Sequence, residues 1–282
     1  MLRIAIPNKG SLSEGAVKIF SDAGYNCRRQ SRELKIIDDE NKVEFIFLRP
    51  TDISVYVANG VLDLGVTGRD LVIESGSDVS EILPLKYGKS NFHYAVPGGS
   101  NLAVADFNGK KIATSYPVLV KKDLHNRGIE ATVIKLDGAI EISISLGVAD
   151  VIADVVQTGR TMVEAGLKII GDPVMNSEAV LIGRAGESEI NKDVKTIINR
   201  INGIVVAREY VMIEYDVSED NIEQACSITP GIEAPTVSPL SRKGWYAVKA
   251  MAKKKGMNQL VDNLNDLGCK GIVVSDIRTC RI

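Results

Sequence analysis

The stretch EISISLGVADVIADVVQTGRTM, residues 141–162, decides how the rest of the chain is read. Its middle, ADVIADVV, is an apolar run of strand character that carries an acid, Asp154, near its end. A turn, Gln157-Thr158-Gly159-Arg160-Thr161, follows and opens a helix. The first N–H groups of a helix have no partner within it, and the helix dipole adds partial positive charge there. Gly159 allows close backbone approach, and Thr158 and Thr161 add hydroxyl donors, so the turn forms a phosphate cradle. Asp154, four residues upstream of Thr158, cannot serve a phosphate but can accept hydrogen bonds from sugar hydroxyls. An acid followed by Thr-Gly-x-Thr therefore predicts a site for a ribose 5-phosphate.

Strand-turn-helix units of this kind recur. Short Val/Ile-rich runs alternate with amphipathic stretches through the first two hundred residues or so, which predicts βα units around mostly parallel sheets. LRIAIP is the first strand. Ser11-Leu12-Ser13-Glu14 offers a capping box for a helix that stops near Gly24. ELKIID and KVEFIFL are two further β runs, and Pro50 suits the first turn of the helix after them. Residues 60–76 echo residues 147–166: both read Gly-Val, an acid, an apolar strand, Thr-Gly-Arg and a helical run closing on Gly. The second copy has four extra residues before its Thr-Gly-Arg, and these include Asp154. Two lobes of related architecture facing one cleft would explain the echo, with Arg69 and Asp70 presented from one side.

From about Tyr210 the order becomes β-α-β-β-α-β, a ferredoxin-like arrangement. The expected division is residues 1–91 with 182–208 as lobe I, 92–181 as lobe II, and 209–282 as a separate α+β domain. SEAVLIGR and NKDVKTIINRING would carry the chain back to complete lobe I.

Composition narrows the class. The chain has 282 residues, 45% of them hydrophobic, enough for two or three small domains. A net charge of −2 gives no basic field for nucleic acid. Cys27, Cys226, Cys269 and Cys280 show no CxxC pairing and fit reduced thiols. MLRIAIPNKG lacks a signal-peptide core, and no apolar run reaches membrane length, so a cytoplasmic protein is expected.

Asp-x-x-x-Thr-Gly-x-Thr resembles the general phosphoribosyltransferase pattern. The wider register (Glu141, Gly147, Ala149, Ile152, Asp154-Val155, Thr158-Gly159, Thr161-Met162) resembles the signature of the ATP phosphoribosyltransferases, which begin histidine biosynthesis. The resemblance covers the whole chain, including the ending SDIRTCRI, and fits the family's long form. It implies a two-lobed core like that of periplasmic binding proteins plus an ACT-like C-terminal domain that binds histidine as a feedback inhibitor. It also implies a homo-oligomer, dimer to hexamer, and Mg2+ held mainly by substrate phosphates.

The family reaction joins N1 of the ATP adenine to C1 of phosphoribosyl pyrophosphate and releases pyrophosphate. By resemblance, Asp154 and Val155 meet the ribose, and Thr158, Gly159, Arg160 and Thr161 meet the 5-phosphate. Lys9 and Gly10 belong to a Pro-x-Lys-Gly motif that meets phosphates. Many relatives carry Arg next, where this chain has Ser11. Asp70 and Leu71 hold the nucleotide, and Tyr116 either contacts the base or serves packing. Arg49, at a strand's C-terminal end, and Arg32 are candidates for balancing pyrophosphate or triphosphate. Glu141 either orients ribose or a metal-bound water, or simply begins a helix. Asp216, Ile232, Ala234 and Thr236 fall where the histidine pocket lies, with Gly271 contributed by the opposite subunit if the pocket spans an interface.

Two rivals share parts of this pattern. A solute-binding protein would share the two-lobe fold but has no need of the Thr-Gly-x-Thr loop. A catalytically silent regulatory subunit would keep the fold without turnover. His93 and His125 show no ligand spacing, and Lys253-Lys254-Lys255 resembles a solvated loop.

Overall fold

The computed structural model describes residues 1–29, 33–156, 159–186 and 191–282. The chain forms two compact units, one of residues 1–21 and 25–195, the other of residues 22–24 and 196–282.

The first unit is built on two mixed sheets. It opens with β1 (Leu2–Pro7), α1 (Gly10–Asp22), β2 (Lys35–Asp38), β3 (Val43–Leu48), α2 (Pro50–Ala58), β4 (Leu64–Gly68), α3 (Arg69–Ser75) and β5 (Val79–Pro84). It continues with β6 (Ser90–Pro97), β7 (Lys111–Thr114), α4 (Pro117–Arg127), β8 (Thr132–Lys135), β9 (Val151–Val156), α5 (Arg160–Glu164), β10 (Leu167–Ser177) and β11 (Ala179–Arg184). The six-stranded sheet has the order β2-β3-β1-β4-β11-β5 and the five-stranded sheet β10-β6-β9-β7-β8. These are the two lobes. The chain crosses to the second at β6 and returns at β11, which lies between β4 and β5.

The lobes repeat one another strand by strand. In the first, β3 and β4 flank β1 in parallel, β4 meets β11 antiparallel, and β11 meets β5 antiparallel. In the second, β8 and β9 flank β7 in parallel, β9 meets β6 antiparallel, and β6 meets β10 antiparallel. The sequence echo therefore falls on topologically equivalent strands, β4 and β9, each followed by a helix.

Burial explains these runs. Central strands are covered on both faces, so β1 and β11 are nearly continuous in apolar residues, whereas β3 alternates buried and half-buried positions. Ala5, Ile53, Val57, Leu62, Val180 and Ile182 form a core between α2 and the first sheet. In the second lobe, Phe92, Tyr94, Ile112, Leu119, Val120 and Leu124 pack on one face of the sheet. Ala95, Ile140, Ile152, Val156, Met162 and Leu167 form a core on the other.

Three details differ from the sequence reading. Helix α1 starts at Gly10, so Ser11 and Glu14 lie inside its first turn and do not frame a capping box. Gly10, at φ +77°, turns the chain out of β1 and lets the helix begin two residues early. β5, β6 and β10 were not anticipated; β10 is interrupted by Gly171-Asp172-Pro173, a turn signature, and the structure absorbs it as a bulge between Ile170 and Met175. Helix α6 (Lys192–Glu209), expected to sit with lobe I, belongs from Thr196 onward to the second unit.

The second unit adds β12 (Tyr210–Ser218), α7 (Ile222–Ile228), β13 (Thr236–Pro239), β14 (Trp245–Lys253), α8 (Met257–Asp266) and β15 (Lys270–Asp276). The sheet order β13-β14-β12-β15 is antiparallel throughout, the ferredoxin-like order. Val211, Ile213, Tyr215, Val217, Val248 and Ala250 form its core with Ala225 and Leu264 of the two helices. The alternate positions, including Glu214 and Asp216, lie on the opposite face.

Candidate functional site

In open α/β sheets, ligands bind beyond the carboxyl ends of the strands. Asp154 lies near that end of β9, and its directly opposed cross-strand neighbour on β6 is His93. Asp154 is half-buried; its Oδ1 accepts only the N–H of Val155, at 2.7 Å, among the hydrogen bonds of the described residues. Burial pushes its carboxyl above the ordinary value of 3.8, and the nearby Glu141 carboxylate adds to this. A desolvated carboxylate with spare lone pairs is suited to accepting hydroxyl donors. Glu141 sits in a 3-10 turn, Ile140–Ile142, not at the start of an α-helix.

Beyond β9, Gly159, the residue before α5, is in the left-handed conformation at φ +73°. Arg160 and Thr161 are exposed, and Arg160 pairs with Glu164 of its own helix at 2.7 Å. Thr158 and Arg32 lie outside the described residues.

In the first lobe, Lys9 and Gly10 are exposed where β1 gives way to α1. Arg49 is exposed at the end of β3, in extended conformation just before Pro50 starts α2. Asp70 is buried at the start of α3. Its Oδ1 accepts the Ser177 hydroxyl at 2.6 Å, and its own N–H donates to Ser177 Oγ at 3.1 Å. Arg69, expected to face the cleft, is engaged elsewhere: its guanidinium makes two bonds to Glu81, at 2.8 and 2.7 Å, and a longer one to Glu178 at 3.4 Å.

Tyr116 precedes α4 and packs edge-on against Phe92 at 5.3 Å between centroids. Burial raises its phenol well above the usual tyrosine range, and the charge of the nearby Asp70 carboxylate raises it further. Leu71 and Tyr116 line a cavity of about 430 Å³, together with Thr51 and Glu74 of the first lobe and Ser115 and Lys135 of the second. Asp70, Leu71 and Tyr116 thus come together between the lobes. Asp154 acts electrostatically on Tyr116 as well, so the ribose acid and the nucleotide candidates share one electrostatic neighbourhood. Glu74 and Ser177 escaped the sequence reading. An acid one turn after Asp70 was the available signal for Glu74; nothing marked Ser177.

No group of three or more His, Cys, Asp or Glu side chains arranged for a metal occurs among the described residues. The carboxylates of Asp154 and Glu141, near enough for one charge to act on the other, are the kind of oxygen donor a magnesium ion would take beside substrate phosphates.

In the second unit, Asp216 and Gly271 adjoin on neighbouring strands. A Cβ on Gly271 would stand 3.7 Å from Asp216 Oδ2. The register shifts there, and Gly271, at φ +59°, takes up the irregularity. Ile232 and Ala234 lie exposed in the segment before β13, and Thr236 begins that strand. Thr236 pairs with Lys249, which pairs in turn with Glu214, so this row shares the open face with Asp216. Lys249 Nζ also meets Glu214 Oε1 at 2.6 Å. Within one chain, then, Gly271 already stands beside Asp216.

Residues 49–203 match the family model for ATP phosphoribosyltransferase (HisG), and residues 207–279 match the model for the HisG C-terminal domain. An ATP phosphoribosyltransferase of Salinibacter ruber is 54% identical over the full length of both chains. One of Corynebacterium jeikeium is also 54% identical over the full length of both. Among solved structures, the ATP phosphoribosyl transferase (HisG:HisZ) complex of Thermotoga maritima aligns with a TM-score of 0.63 at 23% identity, covering 73% of this chain and 98% of that one; at that identity it speaks for the fold. The chain belongs to the ATP phosphoribosyltransferase family, in its long form with the added C-terminal domain, and is a phosphoribosyl-transferring enzyme.

Proposed function

We propose that the protein transfers the phosphoribosyl group of phosphoribosyl pyrophosphate to N1 of ATP, giving N1-(5-phosphoribosyl)-ATP and pyrophosphate. This is the first step of histidine biosynthesis, taken here as cytoplasmic. The observation that carries the reading is the half-buried Asp154, with one hydrogen bond among the described residues, five positions before the left-handed Gly159 and electrostatically linked to Tyr116 at the inter-lobe cavity.

Asp154 accepts the ribose hydroxyls, and their donors replace the water that burial removed. The N–H groups at the start of α5, with Thr158 and Thr161, take the 5-phosphate. Asp70, Leu71 and Tyr116 hold the adenine side of ATP. Lys9 and Gly10, with Arg49 and Arg32, meet the phosphate chains. C1 develops oxocarbenium character as pyrophosphate leaves, and N1 attacks without losing a proton. The protein therefore works by alignment and by electrostatic stabilisation of the leaving group. Mg2+, held mainly by the substrate phosphates, would neutralise charge on the leaving pyrophosphate, with Glu141 placed to orient a metal-bound water.

The second unit binds histidine and lowers turnover, through contacts in a homo-oligomer between dimer and hexamer. Asp216 receives the ligand's amino group or imidazole, and Ile232, Ala234, Thr236 and Gly271 shape the remainder. Feedback requires that histidine bind the less active state more tightly. The test is formation of phosphoribosyl-ATP with magnesium and pyrophosphatase, with and without histidine. Turnover that histidine suppresses without competing against phosphoribosyl pyrophosphate is expected. Absence of turnover in folded protein refutes the transferase reading, and turnover indifferent to histidine refutes the regulatory one.

A further inference from the structure

The equivalence of the lobes exposes one asymmetry. Helices α1 and α4 follow the equivalent strands β1 and β7, and each presents its N-terminus at a strand's carboxyl end. At α1 that end is open, with Lys9 and Gly10 exposed. At α4 it is occupied. Tyr116, at the cap position, supplies no side-chain cap, and Pro117 has no N–H to donate. The next two N–H groups go to a residue of the other lobe. Val118 N–H donates to Glu74 Oε2 at 3.0 Å and to Oε1 at 3.2 Å, and Leu119 N–H donates to Oε2 at 3.0 Å.

Glu74 lies on α3, one turn after Asp70, so the two acids share a helix face. That single face sets the Asp70 charge near the Tyr116 phenol and holds the start of α4 through Glu74. Glu74 also lines the cavity that Leu71 and Tyr116 share. A carboxylate on helix N–H groups is a charge-assisted interaction favoured further by the helix dipole. The cap of one lobe's helix thus comes from the other lobe.

We propose that Glu74 is a positioning residue: it latches α4 to α3, thereby fixes the spacing of the two lobes across the nucleotide cavity, and holds Tyr116 where the base binds. It touches no reacting atom. The consequence is selective, because the latch spans the nucleotide side, while Asp154 and Gly159 both belong to the second lobe. This rests on the assignment of Asp70, Leu71 and Tyr116 to ATP.

The experiment combines amide hydrogen exchange with steady-state kinetics on the full-length protein, comparing wild type, Glu74→Ala and Glu74→Gln. In Glu74→Ala, exchange at Val118 and Leu119 is expected to accelerate about tenfold or more, the effect of losing hydrogen bonds to a charged group. KM for ATP should rise about tenfold, while KM for phosphoribosyl pyrophosphate stays within about twofold, as one charged hydrogen-bonding partner is removed from one side only. Acetate, which replaces the missing carboxylate, should restore both readouts, and Glu74→Gln should fall between wild type and Glu74→Ala. Unchanged exchange at Val118 and Leu119 overturns the latch whatever the kinetics do. Accelerated exchange with an unaltered KM for ATP, or an equal rise in both KM values, overturns its link to the nucleotide. Should Glu74→Ala not fold, Glu74→Gln carries the same comparison. A Leu71→Ala variant with wild-type KM for ATP would remove the nucleotide assignment, while the exchange data would still judge the latch separately.

Discussion

Asp154 is a residue whose value to function and cost to the fold have the same origin. Burial and the Glu141 charge raise its carboxyl, because the charged form has lost water and, among the described residues, gained only the Val155 N–H. A carboxyl raised on folding makes the native state bind more protons than the unfolded chain between 3.8 and its folded value. Stability therefore falls as pH climbs through that window and stays lower above it. Asp154→Asn removes this penalty. At pH 7 the variant should melt at a higher temperature than wild type, and the difference should vanish below pH 3.8, where both states of the wild-type carboxyl are protonated. Its turnover should drop by about a hundredfold or more, as for the loss of a charged hydrogen-bonding partner that acts in the transition state. Thermal melts across pH, with rates at neutral pH, check both; a variant that keeps wild-type turnover removes the ribose assignment.

At the scale of elements, the return of the chain through β11 holds the first lobe together. Ile182 is fully buried in that strand between β4 and β5, in the core that α2 closes. Ile182→Ala should cost about 2–5 kcal/mol through lost burial and the cavity left behind, read as a lower urea midpoint with unchanged slope. Gly271 makes a different kind of demand, since its left-handed backbone carries the irregularity beside Asp216. Gly271→Ala should cost about 1–2 kcal/mol from backbone strain alone. Its new methyl, 3.7 Å from Asp216 Oδ2, is in ordinary contact, so a larger loss measured by chemical denaturation would mean that strain is not the cause.

For the whole molecule, each unit has its own core, and a ligand that binds one native unit stabilises that unit by mass action. Histidine at a hundredfold excess over its dissociation constant should add about 2.7 kcal/mol to the unit that binds it. The melting transition that Ile213→Ala lowers, belonging to the second unit, should be the one histidine raises, and Asp216→Ala should abolish the shift. Calorimetry with and without histidine decides this; a shift confined to the other transition would place the ligand elsewhere.

Much of this architecture was legible in the sequence because it is encoded locally. Strand runs such as LRIAIP and KVEFIFL, Pro50 at a helix start and the β-α-β-β-α-β order all depend on periodicity and turn chemistry within a few residues. The Asp154-to-Thr161 spacing is local too, since it is an order of residues along the chain and needs no distant segment to be read. Whatever depends on two distant segments meeting was not legible. Ser177 binds Asp70 across 107 residues, Arg69 is drawn to Glu81 and Glu178, and Glu74 caps α4 from 44 residues away. Strand β10 escaped the sequence reading because it carries Gly171-Asp172-Pro173, which only cross-strand pairing with β6 turns into a bulge. The sequence alone determined which groups stand at each strand end, because side-chain order and backbone period are short-range properties. Only the tertiary structure decided which of those groups are desolvated, paired or held across the lobes, because burial and charge contact depend on neighbours that the chain brings together only by folding.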